Sequence, residues 1–109
     1  MNVAMENSAL RGKLRQLATE NGHCWLNNPL LIRRMNPPAA EQLREIHTPT
    51  LVIGGERDVS DIHKIVARLT SEIAGARKHV VQGAGHLVPM EKPDEFNRLV
   101  LNVLARSKR

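Results

Sequence analysis

The apolar positions of this chain change period as it proceeds. Between residues 6 and 20, Leu10, Leu14 and Leu17 recur on one helical face while Arg11, Lys13 and Arg15 fall elsewhere, which predicts an amphipathic helix. Asn21 and Gly22 tolerate the left-handed conformation of a helix stop and are expected to end it. Residues 23–38 show no period, with Trp25, Leu26, Leu30, Leu31 and Ile32 set among Asn and Pro residues. Asn36, Pro37 and Pro38 supply start signals for a short helix over residues 39–45, which Thr48 and Pro49 break. Residues 50–54 are apolar consecutively at Leu51, Val52 and Ile53, the mark of a strand buried on both faces, as in a parallel sheet. Ile62, Ile65, Val66, Leu69 and Ile73 then return to helical spacing and predict a helix over residues 60–74, with Ser60 placed to cap it and Gly75 to close it. Residues 78–82, centred on Val80 and Val81, read as a second strand, and residues 83–90 as a loop. Pro93 opens the last helix, where Asp94 and Glu95 suit the positive end of the dipole and Phe96, Leu99, Val100, Val103 and Leu104 form the buried stripe.

Strand, helix, strand, helix predicts an α/β arrangement, a parallel strand pair joined by a right-handed crossover with flanking helices. Two strands do not make an independently stable sheet. The Leu51–Ile53 strand has a second edge that this chain barely covers, so self-association, or pairing with further strands, is expected at that edge.

Composition narrows the classes. At 109 residues and 41% apolar content the chain is one modest domain with enough apolar residues for a core. No run approaches the ~18 apolar residues of a membrane span, and the first twenty or so residues lack the continuous hydrophobic segment of a signal peptide. A cytoplasmic protein with no membrane partner is the expectation. Cys24 is the single cysteine, which excludes an internal disulfide, and with only His23 beside it and no spaced partner it argues against a cysteine zinc site. The net charge of +5 raises nucleic acid as a partner, yet the basic residues are spread in small groups and Trp25 and Phe96 are the only aromatics. No stacking platform follows, and nucleic-acid binding is not expected.

Candidate chemistry lies on the loops that follow the two strands. Asp58 ends Gly54-Gly55-Glu56-Arg57-Asp58, and His86 ends Gly83-Ala84-Gly85-His86. Loops at the carboxyl ends of parallel strands are where α/β sheets keep their sites. An acid and a base so placed suit two parts of a nucleophilic triad. Either residue alone reads more simply as a turn aspartate or a solvent-facing histidine; the matching contexts reverse this and favour the pair. Asp61 is a rival acid whose simpler place is the first turn of the helix beginning at residue 60. Glu91 suits first-turn electrostatics or a loop hydrogen bond, His63 an exposed helix face, and His23, His47 and His79 the surface or a strand edge. Asp58, Asp61, His63 and His86 lack a spacing that demands a metal, and no cofactor is called for.

The run from Ile46 to Asp58 resembles the late strand and acid loop of the α/β-hydrolase fold, and the run from Gly83 to Asn97 resembles that family's terminal His loop and closing helix. The resemblance covers about residues 37–105; residues 1–36 are similar, more weakly, to the end of the helical cap over the active site. It implies two regions, a helical cap-like segment over residues 1–36 and a C-terminal βαβα piece of the hydrolase sheet over residues 37–109. It also implies a triad in the order nucleophile, acid, His, with Asp58 and His86 as the catalytic acid and base. The family's nucleophile elbow and oxyanion loop belong upstream. The serines here are Ser8, Ser60, Ser71 and Ser107, and none lies in a G-x-S-x-G context. The expectation is a partial hydrolase of ester, lactone or related bonds, taking a small ester-like substrate when complete and inactive alone. A subunit of a split hydrolase and a non-catalytic interaction module are the alternatives. Trp25 with Leu26, Leu30 and Leu31 would line a substrate pocket if the cap resemblance holds, or else form a local apolar anchor.

Overall fold

A computed structural model describes residues 3–22 and 35–107 of the chain. Its elements in order are α1 (Ser8–Asn21), β1 (Leu51–Gly55), α2 (Ser60–Glu72), β2 (Arg77–Val81), a short α3 (Val88–Glu91) and α4 (Pro93–Ser107). Short 3-10 turns occupy Val3–Glu6, Ala39–Glu41 and Leu43–Glu45. Residues 23–34, which include Trp25, Leu26, Leu30 and Leu31, lie outside the described residues, and with them the pocket or anchor expected there.

The strands pair in parallel, with Leu51 opposite Arg77 and Gly55 opposite Val81. Both are displaced by one residue from their expected bounds. Thr50 stays outside β1, lending only its carbonyl to the Arg77 N–H at 3.0 Å. β2 stops at Val81 because the chain turns at Gly83, whose φ of +74° is open to glycine at little cost. The crossover helix α2 packs on both strands, and Val66 lies directly over Gly54, where it is 7% exposed. The core is small. Val81 and Ala84 are fully buried and Val88 nearly so, with Ile53, Phe96 and Leu99 packed against them. From the apolar stripe of α4, Phe96 and Leu99 are thus turned onto Val81 and the loop that follows it, whereas Val100 and Val103 face Leu51 and Ile53 of β1 and Leu104 is 54% exposed.

The structure corrects several local expectations. Ser60 does not cap α2: it is the first helical residue, Val59 holds the cap position, and no side chain caps there. The helix ends at Glu72, because Ile73 turns to extended backbone and buries its side chain, after which Gly75 at φ +72° closes the turn as expected. Ile65 is 51% exposed, at an apolar hollow of about 250 Å³ shared with Ala39, Ala40, Leu43 and Leu69. The helix expected over residues 39–45 is two 3-10 turns parted at Gln42, whose side-chain amide donates back to the Pro37 carbonyl at 3.1 Å. Leu43 is buried from this segment, and Arg68 of α2 donates to the Ala40 carbonyl at 3.0 Å. In α1, Asn7 is the cap, its Oδ1 accepting from Leu10 N at 3.1 Å, and so the helix starts later than residue 6. Gly22 stays right-handed at φ −58°, so the left-handed stop expected at Asn21 and Gly22 is not used. Asn21 instead donates its side-chain amide to the Leu17 carbonyl at 2.8 Å.

Candidate active site

Two loops leave the carboxyl ends of the paired strands and are sewn together beyond the sheet. Glu56 N–H donates to the Val81 carbonyl at 3.0 Å, and Arg57 N–H to the Ala84 carbonyl at 2.8 Å. The approach is so close that a Cβ on Gly55 would stand 2.0 Å from the Gly85 carbonyl oxygen and 2.6 Å from that of Ala84. Glycine at position 55 is therefore a steric requirement of this crossing.

The crossing delivers Asp58 and His86 to each other. His86 Nδ1 lies 3.0 Å from Asp58 Oδ2. The Asp58 side chain is only 6% exposed, whereas the imidazole is 61% exposed. Asp58 Oδ1 accepts from Val59 N–H at 2.8 Å. Burial pushes the Asp58 carboxyl up. The hydrogen bond from His86, the Val59 amide and the charge of the imidazolium together outweigh it, and the group sits below its ordinary value. An ionised carboxylate only accepts, so the proton of this bond resides on Nδ1 and the lone pair of the neutral ring on Nε2. That is the tautomer a general base needs.

A pH dependence follows. A carboxylate whose folded value is depressed stabilises the fold above its unfolded value, about 3.9, and loses that contribution as pH falls through the lower folded value. The stability difference between wild type and Asp58→Ala, from urea unfolding, is expected to be constant from about pH 5 to 6 and to shrink below about pH 4. A difference that grows on acidification would contradict the ionised pair.

A family model described as "Alpha/beta hydrolase family" matches residues 6–99. The chain belongs to the alpha/beta hydrolase family. Two of its curated relatives are 2-hydroxy-6-oxononadienedioate/2-hydroxy-6-oxononatrienedioate hydrolases. That of Klebsiella pneumoniae is 39% identical over 71 residues, which are 65% of this chain and 25% of the relative. That of Escherichia coli is 40% identical over 70 residues, 64% of this chain and 24% of the relative. Among solved structures, MenH from S. aureus superposes with a TM-score of 0.62 at 27% identity, covering 67% of this chain and 27% of that one. Carboxylesterase CesB (YbfK) from Bacillus subtilis superposes at 0.53 with 29% identity, covering 60% and 23%. The chain thus spans about a quarter of the length of the curated relatives it matches.

Within this alpha/beta hydrolase chain the other candidates are placed apart from the pair. Asp61 is exposed in the first turn of α2, 3.9 Å from Lys64 Nζ. His63 is exposed on the same helix. His79 is half-buried, its Nε2 3.1 Å from Glu95 Oε1, so it joins β2 to α4 instead of standing as a plain strand-edge residue. The signal for that pair was weak, since nothing in the sequence marks contacts between a strand and a later helix. Ser60 starts α2 and Ser71 donates to the Arg68 carbonyl; among the described residues only Asp58 bonds the His86 ring. No group of three or more His, Cys, Asp or Glu side chains among the described residues could hold a metal. No helix among them is long and apolar enough to cross a membrane. Arg57, beside the acid, reaches the N-terminal turn through Glu6 at 3.1 Å. Glu91 takes the second of its two expected roles, bonding the His86 loop.

Proposed function

We propose that this chain is the acid-and-histidine portion of an α/β-hydrolase that cleaves an ester, lactone or related bond with a nucleophile supplied from outside these 109 residues. The observation that supports it is the His86 Nδ1 to Asp58 Oδ2 contact at 3.0 Å, at loop tips beyond parallel strands. His86 Nε2 takes the nucleophile's proton as it attacks the substrate carbonyl. Asp58 holds the ring and steadies the imidazolium, which then gives that proton to the leaving group; water and the same base release the acyl product. The Asp58–His86 pair supplies proton transfer and nothing else. Ser8, Ser60, Ser71 and Ser107 all lack the G-x-S-x-G turn that would aim a hydroxyl at Nε2. Losing even one oxyanion donor removes roughly 10²–10³ in rate.

The relatives are named as hydrolases of 2-hydroxy-6-oxo dicarboxylates, and one structural neighbour as a carboxylesterase. A small carbonyl compound is accordingly the proposed substrate of the complete protein. The purified chain by itself is expected to hydrolyse p-nitrophenyl acetate no faster than the same concentration of His86→Ala. Turnover above that level, lost in Ser60→Ala, would make Ser60 a nucleophile and overturn the proposal.

A second reading, completion by a separate chain, draws support from the sheet. β1 is bonded along one edge to β2, and its other edge has no strand among the described residues. Beside it, Leu51, Ile53, Val100, Val103 and Leu104 line an open apolar groove of about 130 Å³. Further strands, from a longer polypeptide or from a partner, would cover both.

A further inference from the structure

We infer that Glu91 is a positioning residue for His86, fixing the backbone on both sides of the imidazole; this deepens, and rests on, the acid–base reading of the Asp58–His86 pair. The short α3 folds the chain back so that its last residue meets the loop that precedes it. Glu91 Oε1 accepts from Gly85 N–H at 3.1 Å, and Oε2 accepts from Leu87 N–H at 2.8 Å. The residue between those two amides is His86. A carboxylate that only closed the first turn of α3 would need the Leu87 bond alone, because Leu87 is the cap position of that helix. The bond to Gly85 contributes nothing to the helix, and it brackets His86.

The imidazole needs such a device. It is 61% exposed and is held by one side-chain contact, to Asp58. Packing cannot orient so open a ring, and residues 84–87 belong to no helix or strand. Its direction is therefore set by the backbone that carries it, and a site held loosely by an ångström loses its geometry. Two bonds to one ionised carboxylate are stronger than neutral ones, and both fall on a three-residue stretch. The charged groups facing this corner are Glu6 and Lys92, which line the same groove as Glu91, and Asp58 across the ring.

Glu91→Gln separates the roles. It keeps the size of the side chain but offers one acceptor, and its amide group opposes the remaining N–H. The 109-residue chain is compared as wild type, Glu91→Gln, Asp58→Asn and, as a control for a nearby charge, Asp94→Asn. Amide exchange and the ring ¹⁵N signals of His86 are followed by NMR. Glu91→Gln is expected to speed exchange at Gly85 and Leu87 by about tenfold or more. It is also expected to move the His86 ring away from the single Nδ1–H tautomer, while Arg57 amide protection and the His79 ring stay as they were. Asp94→Asn is expected to change none of these. If Glu91→Gln frees both amides and leaves the His86 ring signals unchanged, Glu91 is merely a cap on α3 and the inference falls. If Asp58→Asn leaves those signals unchanged, the acid–base reading itself falls, whatever Glu91 does. Should Glu91→Gln not fold, wild type decides: the Gly85 and Leu87 amide protons and the His86 ring nitrogens must all register the titration step of the Glu91 carboxyl carbon. Independent midpoints overturn the inference.

Discussion

Replacing Gly55 with alanine is expected to cost about 3 kcal/mol of stability and to part Asp58 from His86. The added methyl would stand 2.0 Å from the Gly85 oxygen, 2.6 Å from the Ala84 oxygen and 2.9 Å from the Ala84 carbonyl carbon. All three are backbone atoms, so no rotamer change relieves the overlap. One loop must move away from the other, and the bonds that sew them, Glu56 to Val81 and Arg57 to Ala84, lie beside the clash. Asp58 and His86 are carried by those loops and separate with them. Gly54→Ala is the fitting comparison. Its methyl would meet Val66 Cγ2 at 3.2 Å, a side-chain atom that can yield by a few tenths of an ångström. A clearly smaller loss is expected there, with the His86 ring signals unaltered. Urea unfolding and the His86 ¹⁵N spectrum check both variants. Equal losses at the two glycines would mean that the crossing is not where the constraint resides.

In the completed hydrolase, His86→Ala and Asp58→Asn are each expected to lower kcat by roughly 10⁴-fold. The second substitution is the sharper one, because the geometry dictates its outcome. Val59 N–H donates to Asp58 Oδ1, so an amide at this position keeps its oxygen there and turns its NH₂ toward His86. That NH₂ donates to Nδ1 and drives the proton to Nε2. The ring then presents an N–H where the nucleophile needs a lone pair. KM is expected to change little if both side chains act on the proton alone. A loss confined to KM would mean that these residues bind substrate and do not transfer its proton.

Most of the architecture was legible because each element carries its own periodicity. Leu51, Val52 and Ile53 announce the strand, although only Val52 of the three is buried and the burial expected on both faces is not met, because Leu51 and Ile53 face an open groove; the stripe from Ile62 to Ile73 announces the crossover helix. The Asp58 and His86 positions were legible for a related reason: each follows a strand directly, so parallel pairing brings their loops to one end. What failed was the chemistry of element ends. Ser60 has the composition of a cap and lies one residue too far along, while Asn7, an ordinary residue before the first helix, does the capping. The short helix at Val88–Glu91 escaped because one turn is too brief to show a period. Spacing alone leaves Glu91 two roles, since a bond back to the amides flanking His86 depends on that turn. Nothing in the sequence marks Gly55 as a close crossing, and only the folded chain reveals the carbonyl beneath it.

Asp58 and His86 are proposed to act as an acid–base pair whose nucleophile comes from elsewhere. Fluorophosphonate labelling tests it most directly, applied to the purified chain and to the chain completed with a hydrolase portion bearing the upstream strands and a G-x-S-x-G elbow. The expected result is no label on the chain alone and label on the elbow serine of the completed protein, abolished by His86→Ala. A label on Ser60 of the isolated chain, or undiminished labelling of the completed protein carrying His86→Ala, would contradict it.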